Sequence, residues 1–372
     1  MRLRSAPLED WLRYNYFNAE IDISSSGVQP YSMAEVRSIT GLSHDELDRL
    51  VFDDGYSLGA PAVRAEIAKR WGSGDPDKVM TTSGSGEAVS LVLMSLLRPG
   101  DEVLVVQPGY HLLIELAVGL GCDVKTWWLD ADRDWQPVIE EGLALITERT
   151  RAVIVNFPQN PTGVTIAEQD MLRLVDRARQ VGAYLLWDAA FAELTYDSEP
   201  LPDVSTLYER GIGFGTFSKV FGLAGLRFGW CLGPPDVLWD CVRIRDYTTL
   251  HVAPLIELVA LRVLQHADAF IGPRHRQARD SREVLRQWSR ANERLVSLPL
   301  PQAGVAAFPR LEGVDDVDAF CQRLFTEHGV LVIPGSCFGA PRHIRLGFGG
   351  QAGQLAEGLD RLATALTAER SH

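Results

Sequence analysis

The chain has 372 residues, 46% hydrophobic and 23% charged, with 36 basic and 49 acidic side chains for a net charge of −13. That composition supports a large folded core, in one large domain with a smaller one attached or in two comparable domains. The acidic surface disfavours nucleic acid and anionic membranes as partners. Five scattered cysteines without CxxC spacing argue against a disulfide framework and against a zinc site, so no metal is expected. The stretch Met1–Trp11 lacks the apolar run of a signal peptide, and the most apolar helical candidate, Ala88–Leu97, is too short to span a bilayer. A reducing cytoplasm is the expected compartment.

In chain order, Gly84–Leu97 reads as a helix and Asp101–Gln107 as a strand. His111–Gly119 reads as a second helix, Arg151–Phe157 as a strand, Glu168–Val181 as a helix and Ala183–Asp188 as a strand. Gly213–Phe217 and Arg227–Leu232 complete the set of apolar runs. Buried strands alternating with helices predict a mostly parallel sheet covered on both faces, with ligands at the carboxyl ends of the strands. From Pro254 the pattern changes to a long helical stretch reaching Ala291, with a break expected at Gly272-Pro273. A helix at Val317–His328, strands at Val330–Ile333 and His343–Phe348 and a closing helix follow. The expected division is a large α/β domain over residues 49–270 and a smaller α+β domain made of residues 1–48 with 271–372.

Several short motifs carry chemistry. Lys219 follows a strand and sits between Ser218 and a glycine-rich apolar run, with Arg227 eight residues later. Most lysines are solvated surface charges, but such surroundings desolvate an ammonium and lower its pKa. Asp188 ends an apolar strand, where a carboxylate faces the ligand crevice; helix capping is the plainer alternative. Ser83-Gly84-Ser85-Gly86 opens an apolar helix, a place where backbone N–H groups receive an anion. Asn160 lies in an Asn-Pro-Thr-Gly turn, which alone is common. Tyr110 follows Pro108-Gly109, and Arg345 lies in His-Ile-Arg-Leu-Gly-Phe.

The stretch Gly215–Gly229 closely resembles the SxSKxxGLxGxRxG signature of the fold-type-I aminotransferases, and the other motifs follow in that family's order from Ser83 to Arg345. The resemblance implies an α/β aspartate aminotransferase-like fold and an enzyme that uses pyridoxal 5′-phosphate. It implies that Lys219 carries the cofactor's aldehyde carbon and that Asp188 pairs with the ring nitrogen, keeping the ring an electron sink. Ser85, Gly86, Thr216 and Arg227 then hold the phosphate, Asn160 the 3′-oxygen and Tyr110 the ring face. Arg345 grips the α-carboxylate of an amino-acid substrate. A homodimer is implied as well, because sites of this family lie at the subunit interface.

The chain departs from the common pattern at Phe191, where many aminotransferases place a tyrosine hydroxyl near the 3′-oxygen. Pro7–Arg13, Asp22–Val28, Trp187–Phe191, Val242–Tyr247 and His328–Gly335 together resemble the capreomycidine synthase group of viomycin and streptothricin biosynthesis. That resemblance implies loss of water from a β-hydroxylated arginine, 3-hydroxyarginine or 3,4-dihydroxyarginine, and closure of the guanidine onto Cβ. The product is capreomycidine or a streptolidine-type precursor. Ser25 and Gly27, with Ser24, Ser26 and Asp22 beside them, are candidates for holding the substrate, and a turn with a cap explains them equally well. An ordinary aminotransferase for a large amino acid and a cofactor-binding regulatory module are the competing readings. The first predicts stalling without a 2-oxo acid. The second usually carries a DNA-binding domain, for which the N-terminal segment is too short and too acidic.

Overall fold

The computed structural model describes residues 3–370. Met1, Arg2, Ser371 and His372, which the expected small-domain boundaries include, lie outside the described residues. A seven-stranded sheet forms the centre, in the order Val79–Thr82, Gly229–Leu232, Gly211–Thr216, Tyr184–Asp188, Thr150–Asn156, Glu102–Gln107, Asp123–Trp128. All neighbours are parallel except Gly229–Leu232, which runs antiparallel to both strands beside it.

The continuous apolar runs follow from burial on both faces. Val103 and Val105 join Ile154, Leu186 and Phe214 on one face, against the helices Ser85–Leu96 and Pro235–Arg245. Leu104 and Val106 join Val153, Val155 and Trp187 on the other, against Glu168–Val181. Period-two alternation therefore separates two apolar surfaces rather than an apolar one from a polar one. The edge strand Asp123–Trp128 is the exception. It is exposed at three of its six positions, Asp123, Thr126 and Trp128, and buried at Trp127 alone. Such mixed composition contains no apolar run, and Val79–Thr82 is only four residues long.

The C-terminal part differs from expectation at two points. The helix Pro254–Gln265 ends at His266, whose φ of −122° and ψ of 24° are not helical, and the helix Ala267–Ala291 then runs unbroken through Pro273. The expected break at Gly272-Pro273 is thus displaced by six to seven residues. Proline removes one backbone donor and crowds the preceding turn. Here Tyr31 Oη donates to the Phe270 carbonyl (2.9 Å) in that turn, and burial of Phe270, Ile271, Ala278 and Leu285 holds the helix on both sides of the proline. Val317–His328 is helical over the expected residues. The expected strand at 330–333 is two short ones, Val330–Leu331 and Ile333–Pro334. Ile21–Asp22 pairs in parallel with Val330–Leu331, which brings the segment 23–28 against the C-terminal part of the chain.

Near the start of the described chain, the helix Pro7–Asn15 is set by proline in its first turn and by Glu9 and Asp10 there, both favourable at a helix N-terminus. Leu8 is buried and Trp11 Nε1 donates to the Val332 carbonyl (2.9 Å), so this helix is fixed against the C-terminal part. Among the described residues no helix is long and apolar enough to cross a membrane.

Candidate active site

The carboxyl ends of the parallel strands open into a cavity of ≈ 290 Å³. Its floor is made by the strand ends, Asn156, Asp188 and Thr216. Its walls come from the helix Pro7–Asn15, the segment 24–26, the helix start at Ser85 and the loop that carries Lys219.

Asn156, which the sequence reading left without a role, ties two pieces of this floor together. Its Nδ2 donates to the carbonyls of Asp188 (2.9 Å) and Pro158 (3.1 Å), and its Oδ1 accepts from the Asn160 backbone N–H (2.9 Å). Gln159 Nε2 donates to the Pro108 carbonyl (2.8 Å), joining the turn to the loop before Tyr110. Buried side-chain amides that satisfy several backbone groups fix a turn more firmly than the turn residues alone can.

Asp188 accepts from the Ala190 N–H (3.1 Å) and forms no ion pair among the described residues. Burial pushes its carboxyl up to about 6, opposed by that hydrogen bond and more weakly by Lys219. Lys219 Nζ donates to Ser26 Oγ (2.8 Å) and stands 6.0 Å from the centre of the Phe191 ring. Burial, then the charge of Arg345, bring its ammonium down to about 8, with Asp188 acting the other way.

The anion cradle is built around a left-handed turn. Arg227 has φ of 55°, a conformation few non-glycine residues adopt, and its Nη1 donates to Ser218 Oγ (3.2 Å) and the Ala224 carbonyl (3.0 Å). A Cβ on Gly84 (φ +87°) would stand 2.6 Å from Arg227 Nη2, so glycine is required there for the guanidinium to lie across the start of the helix Ser85–Leu96. Thr216 Oγ1 and Ser218 Oγ bond to each other at 3.0 Å beside it.

Arg345 is 3% exposed. Its Nη1 donates to Asn160 Oδ1 (3.2 Å) and its Nη2 to the Ser24 carbonyl (3.0 Å), while its buried Nε has no partner. Burial lowers its pKa to about 10. Tyr110 Oη donates to Glu9 Oε1 (3.2 Å) at the opposite wall, and desolvation together with that carboxylate raises the phenol's pKa.

The structure therefore brings together Lys219, Asp188, Ser85, Gly86, Tyr110, Asn160, Thr216, Arg227, Arg345 and Ser25 around one cavity. It leaves Gly27 out. That residue lies behind the wall, where a Cβ would meet the Ser218 carbonyl at 3.1 Å. Its N–H donates to Ser25 Oγ (3.2 Å), and the next N–H, of Val28, donates to the Lys219 carbonyl (3.2 Å). The glycine packs the segment against the lysine loop. Asp22 also turns away from a ligand role, since its Oδ1 accepts from the Ser24 N–H (2.7 Å) and hydroxyl (2.6 Å), as a turn cap does. Ser26 instead supplies the contact to Lys219, and Glu9 enters on the helix Pro7–Asn15, whose first residues carry the resemblance but no assigned role. No local signal marks either residue, because each arrives through a contact far along the chain.

Comparison with known proteins defines the relationship. The family model for aminotransferase class I and II matches residues 52–362. The chain belongs to that family. It is 44% identical to capreomycidine synthase of Streptomyces vinaceus over 98% of this chain and 94% of the relative. The crystal structure of the PLP-dependent cyclase OrfR in complex with Au is similar with a TM-score of 0.95 and 42% identity, over 99% of this chain and 98% of that one. A PLP-dependent aminotransferase from Streptococcus suis 89-1591 is similar with a TM-score of 0.94 and 28% identity, over 99% of each chain. The fold is that of the fold-type-I enzymes, and pyridoxal phosphate is the cofactor that such enzymes use. The residues present fit it: a buried carboxylate without a cation, an amine with lowered pKa, and a glycine-lined helix start faced by an arginine.

Proposed function

We propose that this enzyme closes a β-hydroxylated arginine into a six-membered cyclic guanidine with loss of water. The observation that carries this reading is Phe191. Its phenyl ring faces Lys219 where many aminotransferases have a tyrosine hydroxyl, in a chain similar to capreomycidine synthase along nearly its whole length.

Lys219 would hold the aldehyde carbon of pyridoxal phosphate, Ser85, Gly86, Thr216 and Arg227 its phosphate, Asn160 its 3′-oxygen and Tyr110 its ring. Asp188, with its charge penalised by burial, gains from a protonated ring nitrogen as partner. When bound, the cofactor supplies an electron sink that makes the α-proton of an attached amino acid removable. Arg345 offers its free Nε and guanidinium edge to the substrate α-carboxylate. Lys219, nearer neutrality than an ordinary lysine, takes the α-proton and returns it to Cα, and Ser26 holds the amine in place. Phe191 presents only a ring to that amine, so the hydroxyl beside it is that of Ser26. The β-hydroxyl leaves as water, and the proton it needs is matched by the one the guanidinium of the same molecule gives up when it attacks Cβ, closing a ring of Cβ, Cγ, Cδ, Nε, Cζ and Nη. Effective molarities of roughly 10⁵ M or more make such a closure easy once the substrate is folded. Both 3-hydroxyarginine and 3,4-dihydroxyarginine contain the required groups.

A homodimer belongs to the same reading. Phe52 and Tyr56 on one segment and Tyr247 on another are exposed, and Arg245 Nη1, bonded to the Ser57 carbonyl (3.2 Å), joins the two segments. A second copy covering these rings would bury them near the anion cradle. In the same proposal, residues 49–270 form the cofactor-binding body, and 1–48 with 271–372 form the smaller domain that brings Arg345.

The test is incubation with each hydroxyarginine in deuterated water without a 2-oxo acid. Mass spectrometry should show continued turnover to a product lighter by one water and deuterated at Cα. Stoichiometric conversion of the cofactor to its amine form, with turnover restored only by a 2-oxo acid, would make the enzyme an aminotransferase.

A further inference from the structure

We infer that Glu9 takes the guanidinium group of the substrate, an inference that rests on the cyclase reading of this cavity. Among the described residues that line the cavity only two are carboxylates, Asp188 and Glu9. Asp188 lies on the floor at a strand end, its carboxylate bonded to the Ala190 N–H and its backbone carbonyl to Asn156. Glu9 enters from the opposite wall on the first turn of the helix Pro7–Asn15. That helix is held in place independently of Glu9, by burial of Leu8 and by the bond from Trp11 to Val332. Glu9 Oε1 accepts from Tyr110 Oη (3.2 Å), Oε2 has no hydrogen-bond partner, and no arginine or lysine pairs with the group among the described residues. The nearby cations are already directed elsewhere, Lys219 to Ser26 and Arg345 to Asn160 and Ser24.

The chemistry asks for a carboxylate in this position. A cyclising substrate cannot lie extended, because its guanidinium must turn back to Cβ. The anchor for that group therefore belongs beside the α-amino end of the site, next to the residue proposed to cover the cofactor ring. Tyr110 is that residue, and its hydroxyl orients Glu9. The apolar side chains of buried Leu8 and half-buried Leu12 line the same wall and lower the local polarity, which strengthens a guanidinium–carboxylate pair. A carboxylate that only oriented Tyr110 would affect all amino acids alike. One that holds the guanidinium distinguishes a charged side chain from its neutral isostere.

The experiment uses the holoenzyme and two ligands that lack the β-hydroxyl, L-arginine and L-citrulline, titrated by the change in cofactor absorbance. Wild type should prefer arginine. Glu9→Gln, which retains an acceptor for Tyr110, should weaken arginine on the order of tenfold to a hundredfold. Citrulline should change by less than about threefold. Glu9→Asp keeps the charge and should retain part of the preference for arginine, which guards against a fault specific to the glutamine variant. Equal weakening of both ligands, or an unchanged preference for arginine in Glu9→Gln, overturns the assignment. If wild type prefers arginine and cyclises hydroxyarginine but Glu9→Gln behaves like it, only Glu9 is misassigned. If wild type neither prefers arginine nor releases water from hydroxyarginine, the cyclase reading itself fails.

Discussion

Lys219 Nζ donates a 2.8 Å hydrogen bond to Ser26 Oγ, a contact between residues 193 positions apart. It joins the loop after a central strand to the segment that follows the small parallel pairing at Ile21–Asp22. Ser26 is 4% exposed, so its hydroxyl is held where the amine must wait between proton transfers. Ser26→Ala should lower kcat about tenfold to a hundredfold, the range of a charge-assisted hydrogen bond. Bound cofactor and KM should change little. Steady-state kinetics with cofactor content measured alongside checks this, and loss of cofactor in proportion to activity would contradict it.

The lysine also has a cost in the cofactor-free protein. Its folded-state pKa of about 8 lies below the ordinary 10.5, chiefly because of burial. The stability it contributes is complete above the unfolded pKa and is lost as pH falls through about 8. Near neutral pH the wild type therefore carries the penalty of a buried charge. Lys219→Met should be the more stable apoprotein there, on the order of 1–3 kcal/mol. The difference should shrink at strongly alkaline pH. Urea unfolding of both proteins at neutral and alkaline pH measures it.

Arg345 uses two of its nitrogens on Asn160 and Ser24 and leaves Nε free. Lysine carries the charge but cannot reproduce three directed donors. Arg345→Lys should raise KM for the amino-acid substrate about tenfold to a hundredfold, with a smaller effect on kcat. An equal loss in kcat with unchanged KM would mean that the group acts only after binding.

Arg245 is fully buried, 3.3 Å from Glu87, and bonds the carbonyls of Thr81 (2.9 Å) and Ser57 (3.2 Å). Glu87 also accepts from the Ser83 N–H at the head of the anion cradle (2.5 Å). Arg245→Met removes the cation from the partly buried Glu87, which keeps the Ser83 N–H and the Thr249 hydroxyl, and leaves two carbonyls without their donor. It should destabilise the fold by about 3–5 kcal/mol and weaken cofactor retention. Denaturant unfolding and dialysis against cofactor-free buffer separate the two effects.

The elements that build the sheet were legible because their chemistry is local. Thr150–Asn156 and Tyr184–Asp188 are apolar on both faces, and the helix Glu168–Val181 announces itself by period and by Gly182 after its end. Lys219, Asp188, Arg227 and the Ser85 helix start are legible for the same reason: each sits at a fixed offset from the strand or helix that carries it. The break at His266 was not, because proline's local penalty at 273 is outweighed by burial and by the Tyr31 bond, which come from elsewhere in the chain. Nor were Ser26, Glu9 and Asn156. A serine among three, a glutamate in a first turn and an asparagine at a strand end look alike in any sequence. What makes them part of the site is distance in space: a hydroxyl at the lysine amine, a carboxylate across from Asp188, an amide bridging a turn to a neighbouring strand. Sequence determined which elements form and which cofactor chemistry they carry. The tertiary fold decided which ordinary polar residues meet that chemistry, because packing, and not chain order, sets the separation between elements.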